Sequence, residues 1–550
     1  MPGTIPSMLT PERAAAMRAA GLWHDRTILD DLDRHLAERP ERLAIIDHNS
    51  MTGRESRLSY GDLGRRVERI ASGLAALGVG RGDVVSWQLP NWWEFTALHL
   101  ACMRIGAVSN PLMPIFRERE LRFMLKLAGA RVLVMPRSFR GFDHAAMARG
   151  LRADLPDLAH LLVVGGEGEE AFEALHDEAQ PHDQAAACAL FARSRPGADD
   201  VVEILYTSGT TGEPKGVMHC SNTLLSNLDP YIRRLGLGER DVVLMASPLA
   251  HQTGFLYGVM MPILLGCPVV LQDIWNAGRA ADLIRAEGVT FTMASTPFLA
   301  DLTTVAEARR PDLASLRIFL SAGAPIPSAV ARRATENLGA TIVSAWGMTE
   351  NGAATTTLLD DPPERACETD GVAMDGIELR IVDDGGRDLP PGTEGRLLLR
   401  GCSNFVGYLK RPEMYGVDAE GWFDTGDLAR MDAGGYIRIT GRTKDVIIRG
   451  GENVPVVEVE GLIYQHPAVA EVAVVGMPDP RLGERACAFV VPRPGQSLSL
   501  PELVAFLETH KLTRNYLPER LEVVEQLPRT PSGKIQKFRL RDTAKALASG

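Results

Sequence analysis

The segment with the most concentrated chemistry is Tyr206-Thr-Ser-Gly-Thr-Thr-Gly-Glu-Pro-Lys-Gly216. Gly209 and Gly212 let the backbone turn tightly and aim successive N–H groups at one anion. Thr207, Ser208, Thr210 and Thr211 add hydroxyl donors, and Lys215 adds a positive charge. Between Thr207 and Gly216 only Glu213 and Pro214 are neither hydroxyl, glycine nor lysine. A polar turn with no ligand needs no such density. The loop follows the β-rich run Val201–Tyr206, so it reads as a phosphate cradle at the end of a strand. It is not the GxxxxGK[ST] loop, because the two glycines are too close and Lys215 is followed by Gly216.

Six further segments carry candidate groups. In chain order they are Pro248-Leu-Ala-His251, Ser321-Ala-Gly-Ala-Pro325, Ser344-Ala-Trp-Gly-Met-Thr-Glu350, Gly421-Trp-Phe-Asp-Thr-Gly-Asp427, Gly441-Arg-Thr-Lys-Asp445 with the nearby Ile448-Arg-Gly-Gly-Glu-Asn453, and Pro528-Arg-Thr-Pro-Ser-Gly-Lys534. Each taken alone has an ordinary explanation. Glu350 would be a surface carboxylate, His251 a structural histidine and Lys534 a solvated turn lysine. Lysine is scarce in this arginine-rich chain, yet Lys215, Lys444 and Lys534 each sit inside one of these segments.

Taken together and in this order, the segments resemble the motifs of the acyl-adenylate-forming superfamily, which includes acyl-CoA synthetases, peptide-synthetase adenylation domains and firefly luciferase. The resemblance covers residues 25–541. It implies that residues 207–215 bind the ATP phosphates and that Gly323, Ala324 and Pro325 border adenine. It also implies that Trp346 and Gly347 lie at the adenine, with Trp346 stacking where the family usually has Tyr or Phe. Thr349 would hold the α-phosphate, and Glu350 would bind Mg²⁺, a hard cation suited to carboxylate oxygen. Asp427 and Arg442 would bind the ribose, His251 would sit near the substrate carboxylate, and Lys444 would be a hinge. Gly450, Gly451 and Glu452 would meet the pantetheine arm of coenzyme A; here Asn-Val-Pro455-Val replaces the usual Asn-Ile/Val-Tyr-Pro. Lys534 would stabilise charge as pyrophosphate leaves, and acetylation there would remove that charge and act as a switch.

The elements that must position these groups are those of a layered α/β protein. Leu63, Val67, Ile70, Leu74 and Leu77 recur at helical spacing between a capping Ser59 and Gly78, predicting a helix over 59–78. A strand is expected at Val84–Leu89 and a helix at Asn91–Gly106. Short apolar runs at 201–206, 242–247, 289–294, 317–321 and 341–345, mostly separated by helix-like segments, read as buried strands. Past residue 380, Gly-rich turns at Asp383–Gly386 and Asp432–Gly435 predict antiparallel β-structure. The expected architecture is a large multi-subdomain N-terminal α/β body with a β-rich portion, residues 1–442, and a small mobile C-terminal α+β domain, residues 443–550.

Bulk properties narrow the partners. The chain has 550 residues, 45% hydrophobic and 23% charged, and a net charge of −11. That balance argues against nucleic acid and against a polybasic membrane anchor. The apolar stretch Phe255–Leu271, broken by Gly258, Pro262, Gly266 and Pro268, reads as a buried helix followed by a strand rather than a membrane span. Residues 1–21 lack a basic start and apolar run, so no secretory signal is expected. Seven dispersed cysteines without a CxxC pair suit a reducing cytoplasm.

The resemblance implies two half-reactions: a carboxylic acid and ATP give acyl-AMP and pyrophosphate, then coenzyme A gives acyl-CoA and AMP. With no carrier domain expected after the last motif, free coenzyme A is favoured as acceptor. The C-terminal unit looks most like that of bacterial short- and medium-chain acyl-CoA synthetases and cyclohexanecarboxylate–CoA ligases. Phe255, Tyr257 and Phe298 are candidates for a short acyl pocket, which suggests a medium-chain aliphatic or alicyclic acid. A carrier-protein thiol, an amine or oxygen as acceptor, and a non-catalytic nucleotide binder, remain open readings.

Overall fold

The computed structural model describes residues 4–207, 214–442, 446–449, 452–510, 512, 514–529 and 535–548, with the backbone alone at 452–453. The helix Tyr60–Ala76 forms where the spacing places it. Asp62 N–H donates to Ser59 Oγ at 3.1 Å, and the Asp62 carboxylate accepts from Ser59 N–H at 3.0 Å. This reciprocal cap satisfies two otherwise orphaned donors. Leu63, Val67, Ile70 and Leu74 are all buried. The next helix, Trp93–Ile105, is buried on every face, and Gly106 ends it at φ 70°.

That second helix starts two residues later than expected because Asn91 has another task. Its Nδ2 donates to Ser247 O at 2.9 Å and Gln272 O at 3.1 Å, while its Oδ1 accepts from Leu249 N–H at 2.9 Å. Asn91 thus ties two strand ends together just before His251. The expected strand at 242–247 likewise contracts to Val243–Met245, because Val242 N–H is taken by the Thr290 hydroxyl at 3.0 Å instead of a strand neighbour.

Among the described residues the N-terminal body holds two large, mainly parallel sheets. The first has nine strands, in the order 372–373, 352–356, 341–348, 318–322, 291–294, 243–245, 269–272, 43–49 and 54–59. Its six central strands are parallel and its outer pairings antiparallel. The second has six strands, in the order 215–220, 201–207, 108–111, 84–87, 130–136 and 160–164. One continuous core joins them through Trp93–Ile105 and the buried segment Phe255–Leu265. Parallel strands covered by helices need apolar residues on both faces, which is why their sequence shows runs rather than alternation.

The β-rich portion is a four-stranded antiparallel sheet, Ile377–Val382, Gly395–Gly401, Phe423–Met431 and Ile437–Arg442. The smaller C-terminal domain pairs Val469–Asp479 with Gly483–Pro492, and Arg520–Val523 joins the latter in parallel. Helices Val456–Ile463 and Leu500–Thr509 cover one face. Helix Lys537–Ala548 covers the other.

The stretch 255–271 is buried, as expected, but opens with a π-helical turn at Phe255–Met260 before the helix Met261–Leu265 and the strand Val269–Gln272. Among the described residues no helix is long and apolar enough to cross a membrane. All seven cysteines are free thiols.

Two carboxyls lie deep beside the start of helix Trp93–Ile105. Burial, and then the neighbouring charge of Asp47, raise Glu94 to about 8. Burial raises Asp47 to about 7 against the hydrogen bond it accepts from Trp93 N–H. Both groups hold a proton more tightly folded than unfolded. Their contribution is therefore complete below the unfolded values and is lost as pH rises through 7 and 8. Denaturant unfolding should show stability falling between pH 6 and pH 8 and levelling above that. Glu94→Gln should shrink that fall by roughly 1–2 kcal/mol, and an unchanged pH slope would refute the assignment.

Candidate active site

A cleft of about 2270 Å³ runs between the N-terminal body and the C-terminal domain. Among its most buried polar side chains is Asp427, on the strand Phe423–Met431. Asp427 is 3% exposed, so a charge there needs close donors. Trp346 Nε1–H donates to Oδ2 at 2.9 Å. Arg442 Nε pairs with Oδ1 at 2.8 Å from the directly opposite position of the neighbouring strand. A Tyr or Phe at 346 would have no ring N–H to offer, so the tryptophan adds a bond as well as a flat ring.

Trp346 begins a tight loop whose glycines are required by close approach. A Cβ on Gly347 would meet Gly352 O at 2.0 Å, and one on Gly352, at φ 67°, would meet the Asn227 side chain at 2.7 Å. Asn227 occupies that space productively. Its Nδ2 donates to Asn351 O at 3.0 Å and Ala353 O at 2.9 Å, and its Oδ1 accepts from Tyr257 O–H at 2.8 Å. Tyr257 O in turn accepts from Ala353 N–H at 2.9 Å. His219 Nε2 meets Thr349 O at 2.8 Å, and burial lowers its pKa to about 4, so the ring is a neutral donor. Phe405 N–H donates to Glu350 O at 2.7 Å. The Thr349–Glu350 backbone is therefore held from several sides.

The Glu350 side chain is 5% exposed. Burial raises its pKa, opposed by the Tyr408 hydroxyl, which donates to Oε1 at 2.8 Å, and by the charges of Lys215 and Arg442. The Lys215 ammonium lies 4.7 Å from the Tyr408 ring centroid. A buried carboxylate opening onto a cleft beside a lysine is a hard oxygen donor of the kind Mg²⁺ takes, and Glu350 fits that role chemically.

Thr207, Lys215, His251, Tyr257, Trp346, Gly347, Thr349, Glu350, Asp427 and Arg442 all line this cleft, as do Gly323, Ala324 and Pro325. The last three follow the strand Ile318–Ala322, and Thr296 O–H donates to Ala324 O at 3.0 Å. His251 caps a short helix, its Nδ1 accepting from Thr253 N–H at 3.3 Å.

Phe255 and Phe298 differ from expectation: neither reaches the cleft wall. Phe255 packs edge-on against His99 with centroids 4.8 Å apart, and Phe298 packs on Trp275 at 4.6 Å. Tyr257, expected there as well, does line the wall, together with Met293, Pro297 and Ala353. Ser208, Gly209, Thr210, Thr211, Gly212, Lys444, Gly450, Gly451 and Lys534 lie outside the described residues, as does the Glu452 side chain.

Residues flanking two of these segments reach the cleft. Ile535, Gln536 and Lys537, directly after Lys534, line the cleft, and Lys537 pairs with Glu460 at 2.7 Å. Ile447, Ile448 and Arg449, just before Gly450, do not line it, whereas Val446 and, after the segment, Val454, Pro455 and Val456 do. Arg449 pairs with Glu519 at 2.8 Å.

Tyr408, Asn227 and His219 are the site residues that sequence reasoning missed. Tyr408 lies in Asn404-Phe-Val-Gly-Tyr408, an aromatic and glycine run whose only signal was its position between two strands.

Comparison with known proteins gives matches along most of the chain. A model described as AMP-binding enzyme matches residues 32–409, and one described as AMP-binding enzyme C-terminal domain matches 458–534. A medium-chain fatty-acid–CoA ligase of Escherichia coli K12 is 40% identical over 533 residues, covering 96% of this chain and 92% of that protein. A salicylyl-CoA synthase / salicylate adenylyltransferase of a Streptomyces species is 37% identical, covering 98% of this chain and 97% of that one. Among solved structures, an anthranilate–CoA ligase in complex with anthranoyl-AMP superposes with a TM-score of 0.85 at 26% identity, covering 97% of this chain and 100% of the other.

Trp346→Phe keeps an aromatic ring, though a smaller one, and deletes the indole donor to a buried carboxylate. Denaturant unfolding should show a loss of roughly 1–2 kcal/mol, and wild-type stability in that variant would mean that the indole N–H does not hold Asp427.

Proposed function

The chain belongs to the AMP-binding enzyme family, and from that premise we propose that it is an AMP-forming carboxylic acid–CoA ligase for a medium-chain aliphatic or alicyclic acid. The observation that carries this reading is the single cleft in which the family's motif segments form one wall and the residues following Lys534 form part of another. The relatives named above differ in the acid their names give. The medium-chain assignment draws on the 40% identical relative. It also draws on the apolar wall of Tyr257, Met293 and Ala353, which is tied together by the Tyr231–Tyr257 stack and the Tyr257–Ala353 hydrogen bond.

In the first half-reaction the substrate carboxylate attacks the α-phosphorus of ATP, and the bond to the β-phosphate oxygen breaks as pyrophosphate leaves past residues 207–215. Trp346 gives the base a flat face, and Asp427, steadied by Arg442, accepts from the ribose hydroxyls. Thr349 orients the α-phosphate, and Lys534 offsets the charge developing on its oxygens. Mg²⁺ bound with the nucleotide would be held by Glu350 and would supply neutralisation of phosphate charge. Positioning and preorganised charge do the chemistry here, since little covalent work falls to the protein.

In the second half-reaction the thiolate of coenzyme A attacks the acyl carbonyl carbon, the bond to the phosphate oxygen breaks, and AMP leaves. A rotation about Lys444 would withdraw Lys534 and bring Gly450 and Gly451 to the cleft. We place the boundary between residues 442 and 443, inside the stretch 410–457 that separates the two family matches.

Pyrophosphate release with ATP and Mg²⁺, measured across acids from acetate to palmitate with cyclohexanecarboxylate, benzoate and salicylate, tests the reading. Multiple turnovers are expected with hexanoate to decanoate or cyclohexanecarboxylate, and only when coenzyme A is added. Turnover indifferent to coenzyme A would replace the acceptor, and a preference for salicylate or palmitate would replace the acid. Lys534→Ala should lose adenylation by roughly 10²–10³-fold while still converting supplied acyl-AMP to acyl-CoA. Equal loss in both halves would reject the proposed division of labour.

A further inference from the structure

Residues 405–409 form a strut between two parts of the cleft that are far apart in sequence. On one side Val406 N–H donates to Met218 O at 2.9 Å, Met218 N–H to Gly407 O at 3.0 Å, and Leu409 N–H to Gly216 O at 2.8 Å. These bonds grip the strand that begins at Lys215. On the other side Phe405 N–H holds the backbone of Glu350. Tyr408 repeats the arrangement with its side chain. Its ring lies under the Lys215 ammonium, and its hydroxyl donates to Glu350 Oε1. The ring is 4% exposed and packed at 4.7 Å against Phe405.

We propose that Tyr408 is a positioning residue for the divalent cation that accompanies the nucleotide: its O–H fixes one oxygen of the Glu350 carboxylate and leaves the other for the cation. This rests on the reading of Glu350 as the cation's protein ligand. A carboxylate held at one oxygen loses little freedom when the second is engaged, and partners of this kind are worth about 10–100-fold in metal affinity. The same ring sets the Lys215 ammonium beside that carboxylate, so both charges meet the phosphates from one rigid base.

The test uses the full chain and α,β-methylene-ATP, with binding measured by calorimetry in Mg²⁺ and again in EDTA. The ratio of the two dissociation constants reports the cation's contribution without requiring turnover. Tyr408→Phe keeps the ring under Lys215 and removes only the hydroxyl. It should cut the Mg²⁺ advantage about tenfold while leaving the EDTA constant and the melting temperature near wild type. Glu350→Gln should cut the advantage at least as much. If Glu350→Gln loses the advantage and Tyr408→Phe keeps it, the proposal falls and the Glu350 reading stands. If Glu350→Gln keeps it, both fall. Equal weakening by Tyr408→Phe in Mg²⁺ and EDTA would assign Tyr408 a purely structural role and overturn the proposal.

Discussion

A carboxylate that is almost wholly buried needs donors at both of its oxygens. Asp427 meets that condition by joining three parts of the chain. The indole N–H arrives from the strand Thr341–Met348 of the nine-stranded sheet. The guanidinium arrives from the last residue of the strand Ile437–Arg442. The carboxylate itself belongs to the four-stranded antiparallel sheet. The relative placement of the parallel body and the β-rich portion therefore has an electrostatic tie at the place where a ribose acceptor is needed.

The loop that follows Trp346 is supported in the same spirit. His219 holds the carbonyl of Thr349, Phe405 that of Glu350, and Asn227 those of Asn351 and Ala353. Ser403 O–H adds a bond to Asn351 O at 2.8 Å. These supports come from elements on both sides of the loop in sequence. A group that must stabilise charge during a reaction gains most when its geometry is set beforehand, because no reorganisation is then needed at the barrier.

Much of the fold was legible because its causes are local. The capped helix Tyr60–Ala76 follows from the Leu63, Val67, Ile70, Leu74 stripe with Ser59 and Asp62 at its start. The hairpins around Asp383–Gly386 and Asp432–Gly435 follow from turn residues. The motif segments were legible as chemistry because glycines, hydroxyls and charges crowd into short stretches. What stayed hidden depends on non-local geometry. A π-helical turn alters the helical register, so counting residues from His251 could not say that Phe255 points at His99 while Tyr257 reaches the cleft. Phe298 was expected in the pocket for its bulk, but its neighbour Pro297 is the one at the cleft wall. Tyr408 and His219 reach Glu350 and Thr349, 58 and 130 residues away, and Asn227 reaches Asn351 and Ala353, 124 and 126 away, and no spacing rule in a single sequence points to such pairs.

The strand order carries a consequence for synthesis. Leu43–Asn49 pairs with Arg54–Ser59 at once, but its other edge waits for Val269–Gln272, made more than two hundred residues later. At translation speeds of about 5–20 residues per second, that edge stands open for roughly ten seconds or more. The six-stranded sheet, drawn entirely from residues 84–220, has all its strands before then. An exposed strand edge invites pairing with other chains. The nascent protein therefore spends its riskiest interval with one sheet ready and the other half-built, the period in which a ribosome-bound chaperone has most to protect.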